Sequence, residues 1–422
     1  MIRLRYLLPA LALAGLIATT PAAVLPKRNV QRVNSLMTAG QENGYYPGAS
    51  IAVGSRAGIL YDTCYGWRDY DRSAAVTPQD VYDLASVTKI VATTLAVMRL
   101  YDERQLALDN RVGSLLPTFA GTEIAGITLR ELLTHTSGLG NIFMYRMLFH
   151  NPTGADLIST RVSPDYPRLV DRSVWLCNDP RPDTIYISGQ PYEGYRRAGE
   201  YCYVSPAVDT VIFNGIVDSF KATRRGKYLY SDLNFHLLMM IVERTSGKRL
   251  NDFVAEIYGQ MDMRSTGFRP LEWMPAENIV PTENDVLMAR GPLRGYTHDE
   301  IAAVSDNVGG NAGLFSNTED LSKYCRMILS GGELNGRMII SPATVKLFTA
   351  GPRPLGFQHL TSSPMYAGGF GHTGYTGTMV WIDPARDRFM VFLSNRVNPS
   401  RTNQGLVSSG LRTKVWEAIV AK

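Results

Sequence analysis

Two periods alternate along this chain. Across residues 30–43, Val33, Leu36 and Met37 recur on one side, which predicts an amphipathic helix. Residues 48–54 and 58–66 are short, β-prone runs separated by turn residues and read as a hairpin. From residue 90 to 101, Ile90, Thr94, Val97 and Tyr101 line one side, with Val91, Leu95 and Met98 beside them. That helix is apolar nearly all round and is expected to be buried. Residues 129–139 predict a short helix ending at a Ser-Gly turn. Residues 230–234 open another, whose apolar face is Phe235, Leu238, Met239 and Val242. Further helices are predicted over 251–261 and 321–329. Residues 140–229, rich in Pro, Tyr, Arg and Asp, are the least regular part and read as an insertion packed over or beside a site. The last quarter turns to β: residues 368–380 are Gly-rich and then apolar, 381–384 read as a turn, and 389–394 form a strand. A helix over 407–420 closes the chain. Strands at both ends would have to join one sheet, with the helical middle inserted between them. The division expected is 23–80 plus 330–422 for an α/β sheet domain and 81–329 for a mainly helical domain containing the 140–229 insertion.

Composition sharpens this outline. At 422 residues, 45% hydrophobic and 19% charged, the chain has the balance of a globular protein. Its formal charge is +5, or +3 without Arg3 and Arg5. No basic run is interleaved with aromatics, so nucleic acid is not an expected partner. Residues 1–22 read as a secretory signal: Arg3 and Arg5, an apolar stretch over 7–17, and small residues before a cut after Ala22. The alternative is an uncleaved anchor. Removal of the signal would leave no stable membrane span, and the protein is expected in the periplasm or outside the cell. Of the four cysteines, Cys177 and Cys202 share one segment and are the pair most expected to form a disulfide, while Cys64 and Cys325 read as buried thiols. No Cys/His spacing suits zinc, and no cofactor is expected.

The candidate chemistry begins at Ser86-Val87-Thr88-Lys89. One helical turn brings residue i beside i+3, which places the Lys89 ammonium next to the Ser86 hydroxyl. A serine needs a base to attack near neutral pH, and a lysine can serve if burial or a cation lowers its pKa. The helix start also offers unpaired N–H groups and a positive dipole end where an oxyanion would form. A Ser and a Lys three apart should nevertheless arise about once by chance in such a chain. Tyr230-Ser231-Asp232 and His372-Thr373-Gly374 follow at long intervals. No G-x-S-x-G elbow, H-E-x-x-H or P-loop is present.

Taken together in this order, the three short sites resemble those of the penicillin-recognising serine hydrolases: class C β-lactamases, D,D-carboxypeptidases and related esterases and amidases. Residues 132–139 (LLTHTSGL), 312–316 (AGLFS) and 392–396 (FLSNR) match the surrounding framework. The resemblance implies an α/β fold, a β-lactamase/transpeptidase-like sandwich of an antiparallel sheet flanked by helices, with an inserted helical domain. It implies Ser86 as the acylated nucleophile, Lys89 sharing its proton, and Tyr230 as acid and base. Asp232 would touch the substrate amide, and His372, Thr373 and Gly374 would lie on the edge strand, near a substrate carboxylate. The N–H groups of Ser86 and Tyr375 would form the oxyanion hole. Asp232 stands where many members have Asn and His372 where many β-lactamases have Lys, which argues against an efficient β-lactamase. Thr282-Glu283, Arg290-Gly291, His298-Asp299-Glu300 and the run 310–315 look like a branch acting on cell-wall fragments, penicillin-binding protein 4B-like proteins and muropeptide amidases; Asn311 departs from it. Taken alone, His298-Asp299-Glu300 reads as a capped, solvated turn, and His135 as a hydrogen-bonded structural histidine. The expected substrate is an amide of peptidoglycan or a muropeptide, with β-lactams as acylating ligands. The alternatives are a β-lactamase or promiscuous esterase, and a non-catalytic penicillin-binding or cell-wall-binding protein.

Overall fold

The structure is a computed structural model and describes residues 24–421; the expected signal lies outside them. Its centre is a five-stranded antiparallel sheet in the order Phe370–Thr373, Met379–Asp383, Arg388–Ser394, Gly48–Ser55, Gly58–Gly66. The two ends of the chain do meet in it: Ile51 pairs with Phe392. The strand period of two sorts side chains to opposite faces. Ala49, Ile51 and Val53 of the first strand and Met390 and Phe392 of its partner pack on one side. Helices Lys27–Glu42 and Leu411–Val420 cover that side, and Asn29 Nδ2 caps the last helix by donating to Ile419 O and Ala421 O, both at 3.0 Å. Ala52, Val391 and Leu393 face the other way, into the large core shared with the helical middle. The central strands are therefore buried on both faces, which explains their unbroken apolar runs.

Several sequence expectations change on folding. Trp381, Ile382 and Asp383 are strand, not turn; Trp381 is fully buried against Tyr366, and the chain reverses after Asp383. The helix over 129–139 stops at Leu133, and the closing helix is broken into Gly405–Ser408 and Leu411–Val420, with Gly410 at φ +63° between them. The irregular insertion carries small sheets and two α-helices, Met144–Leu148 and Val208–Ser219. The expected disulfide is absent. Cys177 follows the strand Val174–Leu176 and Cys202 opens Cys202–Val204, which belong to separate three-stranded sheets, and all four cysteines are free. No helix among the described residues is long and apolar enough to cross a membrane.

Candidate active site

Ser86 sits in a tight 3₁₀ turn, Ala85–Val87, leading into a wide π-helical stretch, Lys89–Thr94, and then the helix Leu95–Asp102. Ala85 has φ +45°, a strained left-handed conformation for a residue with a Cβ. Buried Asp83 holds it there: one carboxylate oxygen accepts from Ala85 N at 2.9 Å and the other from His298 N at 2.6 Å. The kink keeps Ser86 at the cavity surface while Lys89 is wholly buried. Gly374 closes the turn from the other side. A Cβ there would lie 2.0 Å from Thr378 Oγ1 and 2.5 Å from Leu84 O, so only glycine lets the edge-strand turn approach the nucleophile's segment.

The three distant motifs converge. Lys89 Nζ donates to Ser86 Oγ at 3.0 Å, and the Tyr230 hydroxyl donates to the same oxygen at 3.0 Å. The other two Lys89 protons go to Asp232 Oδ1 at 2.6 Å and Asn311 O at 3.0 Å. Asp232 begins the helix Asp232–Ser246, and its N–H is held by Asn141 Oδ1 at 2.8 Å. The lowered lysine pKa expected from sequence is not found. Burial alone would lower it, but the Asp232 carboxylate and then the Tyr230 phenol raise it above the ordinary lysine value. Tyr230 is also fully protonated near neutral pH. Burial pushes its phenol up to about 12, against the pull of Lys89. Asp232 therefore spends one oxygen on Lys89 rather than standing free for an amide.

His135 supports this arrangement from behind. Its Nδ1 accepts from Ser231 N at 3.2 Å and lies 3.0 Å from Asn234 Nδ2, and its ring packs 4.6 Å from that of Tyr230. Burial, followed by the Lys89 charge, lowers its pKa to about 3, so it stays neutral. His372 lies on the edge strand and lines the cavity, yet it is buried and neutral, with Nδ1 2.8 Å from Thr373 O. It brings no positive charge. Thr373 and Gly374 line the same cavity of about 470 Å³ as Ser86, Tyr230 and Asp232. Among the described residues, neither Ser86 N–H nor Tyr375 N–H has an acceptor. A larger cavity of about 760 Å³ between the first and last helices contains none of these groups.

His298-Asp299-Glu300 is capped but not solvated. Asp299 accepts from Ala302 N at the start of the helix Glu300–Val304, whereas His298 is buried and stacks on Tyr375 at 4.9 Å. Its Nδ1 is 2.6 Å from Glu283 Oε1, which also accepts from Arg401 at 2.6 Å. Burial opposes the Glu283 charge, but His298 and Arg401 overcome it and hold the carboxyl below its usual range. Burial raises Glu300 to about 7. Residues missed by sequence reading, Asp83, Asp171, Arg172, Arg401 and Arg412, carry no local motif. Arg396 was visible only as framework. Among the described residues no His, Cys, Asp and Glu cluster is arranged to hold a metal ion.

The β-lactamase family profile matches residues 33–168 and 193–407. An Escherichia coli (strain K12) protein named "Putative D-alanyl-D-alanine carboxypeptidase" is 28% identical over 90% of this chain and 87% of its own. The N-acetylmuramyl-L-alanine amidase of Bacillus subtilis (strain 168) is also 28% identical, over 83% of this chain and 77% of its own. Among solved structures, a penicillin-binding protein homologue from Caulobacter crescentus superposes with a TM-score of 0.63 at 18% identity, covering 94% of this chain and 98% of that one. With the fold and a serine, lysine and tyrosine gathered at one oxygen, the chain belongs to the β-lactamase family and is a serine hydrolase.

Proposed function

We propose that this protein is an exported hydrolase that cleaves amide bonds of peptidoglycan fragments through an acyl-enzyme on Ser86. The observation that carries the reading is the Ser86 hydroxyl oxygen, 3.0 Å from both Lys89 Nζ and the Tyr230 hydroxyl at the wall of an open cavity. The protonation states dictate the route. Neither Lys89 nor Tyr230 is a ready base, so the phenol works as a relay. Ser86 Oγ bonds to the amide carbon while its proton passes to Tyr230, whose own proton goes to the leaving nitrogen as the C–N bond breaks. Lys89, with Nζ 5.1 Å from the phenol ring centre, stabilises negative charge passing through the oxygen. The free N–H groups of Ser86 and Tyr375 receive the carbonyl oxygen's developing charge. Water then reverses the sequence and frees Ser86.

The cell-wall assignment is supported by the names of the two curated relatives and by residues 1–22, which read as an export signal. The test is digestion of purified muropeptides followed by mass spectrometry. The expected result is loss of D-alanine or of the whole stem peptide, with both turnover and fluorescent-penicillin labelling abolished in Ser86→Ala. Persistent labelling of that variant would place the nucleophile elsewhere.

A further inference from the structure

The larger cavity, about 760 Å³, lies between the helices Lys27–Glu42 and Leu411–Val420, on the sheet face turned away from the core shared with the helical middle. No residue lines both this cavity and the one that holds Ser86. Helical period builds its walls. Arg28, Arg32 and Leu36 recur every four residues on one face of the first helix, and Lys414 and Ala418 do the same on the last. Met365 joins them from the turn Pro364–Tyr366.

Burial sorts this lining into floor and rim. Ala418 is buried and Leu36 half-buried, whereas Arg28, Arg32 and Lys414 are exposed. Met365, a large apolar side chain, is 41% exposed, so the groove leaves apolar surface in water. Three cations stand against one carboxylate of the lining, Glu417, whose Oε1 accepts from Ser363 Oγ at 2.6 Å. Apolar surface bordered by an excess of positive charge is complementary to an anionic lipid surface, where apolar groups reach the acyl boundary and cations meet phosphate. Either signal alone holds a protein only weakly, and this groove supplies both. Its place in the chain selects a bilayer over a free amphiphile. The Asn29 side chain, bonded to Ile419 O and Ala421 O, brings the start of the first helix to the end of the last. Val24, 76% exposed, precedes that first helix by three residues, and residues 1–22 before it read as a signal directed to the membrane.

We propose that this groove docks the protein on the surface of an anionic phospholipid bilayer, with Arg28, Arg32 and Lys414 against the headgroup phosphates and Leu36 and Met365 at the acyl boundary. Ser86 opens into a separate cavity, so docking leaves the catalytic groups free for substrate. The inference does not depend on Ser86 as the nucleophile.

The experiment is co-sedimentation of the purified protein with vesicles of phosphatidylglycerol and of phosphatidylcholine, using wild type and variants that share one N-terminus. A basic group near an anionic bilayer is worth about fivefold in partition, and the lining has a net excess of two, so phosphatidylglycerol should be preferred by about 25-fold. Arg28→Gln combined with Arg32→Gln should erase that preference, while Lys at both positions should keep it. Added salt should weaken wild-type binding. Met365→Ser should lower partition into phosphatidylglycerol about fivefold through lost apolar burial. All three side chains are exposed, so Tm should not move. Equal binding to both lipids, or an unchanged preference in the double Gln variant, overturns the inference; the second result would assign any binding to residues before the first helix. Retention on soluble polyglutamate with no sedimentation on vesicles also overturns it and makes the rim a site for an acidic polymer. A dimer seen by light scattering with no vesicle binding overturns it in favour of a second copy of the chain.

Discussion

Asp232 is the most informative residue to change. Its Oδ1 lies 2.6 Å from Lys89 Nζ, and its side chain is 28% exposed while that of Lys89 is fully buried. Coulomb's law puts the attraction at about 6 kcal/mol for an effective dielectric of 20 and about 1.6 kcal/mol for that of water. Partial exposure places the pair between these bounds, so losing the charge should lower the Lys89 pKa by at least about one unit. Asp232→Asn keeps an oxygen for the lysine to donate to and removes only the charge. The same loss lowers the Tyr230 pKa, because the Asp232 charge helps to raise it. A neutral Lys89, 3.0 Å from Ser86 Oγ, could then take the proton directly. The assay is the second-order rate of labelling by a fluorescent penicillin across pH. The acid limb should move down by at least about one pH unit, and the rate at pH 8 should rise roughly tenfold. A profile that superimposes on the wild type, or a slower rate at every pH, would refute the claim that Asp232 keeps Lys89 charged and out of the base role.

Tyr230→Phe removes the relay and should lower kcat by about 100-fold or more, measured on a muropeptide; a rate within twofold of wild type would take Tyr230 out of the proton path. Stability should fall with acid. His135 and His236 are both buried, with pKa values lowered to about 3 and about 4 from 6.5, chiefly by burial. Below pH 6.5 the unfolded chain takes up protons that the folded one refuses, so stability is lost as pH falls. At pH 5 the loss is about 2 kcal/mol for each histidine; Glu300, whose raised carboxyl takes up a proton in the folded state over the same range, offsets about one of them, and the net is readable as a falling Tm between pH 7 and pH 5. Titration of the denatured, unreduced protein with a thiol reagent should count four thiols, whereas two would restore the Cys177–Cys202 bridge.

The local periods of the chain specified its elements well where burial is one-sided or complete. The hairpin Gly48–Ser55 and Gly58–Gly66, the first helix and the strand Arg388–Ser394 were legible because alternation and apolar runs report burial directly. So were the three motifs and their order, because hydroxyl, ammonium and phenol chemistry restricts residue type. The boundary errors had a common cause. Trp381 looked like the start of a turn until the fold buried it against Tyr366, and neighbours remote in sequence decide such positions. The protonation states lay further out of reach. Lys89 is raised rather than lowered because Asp232, 143 residues away, packs against it, and sequence distance carries no Coulomb energy. The arginines lining the catalytic cavity come from positions 172, 396 and 412, and the strained Ala85 depends on Asp83 and the His298 backbone. One residue's chemistry can be read from its letter, but its charge, strain and partners are set by the space that the fold encloses.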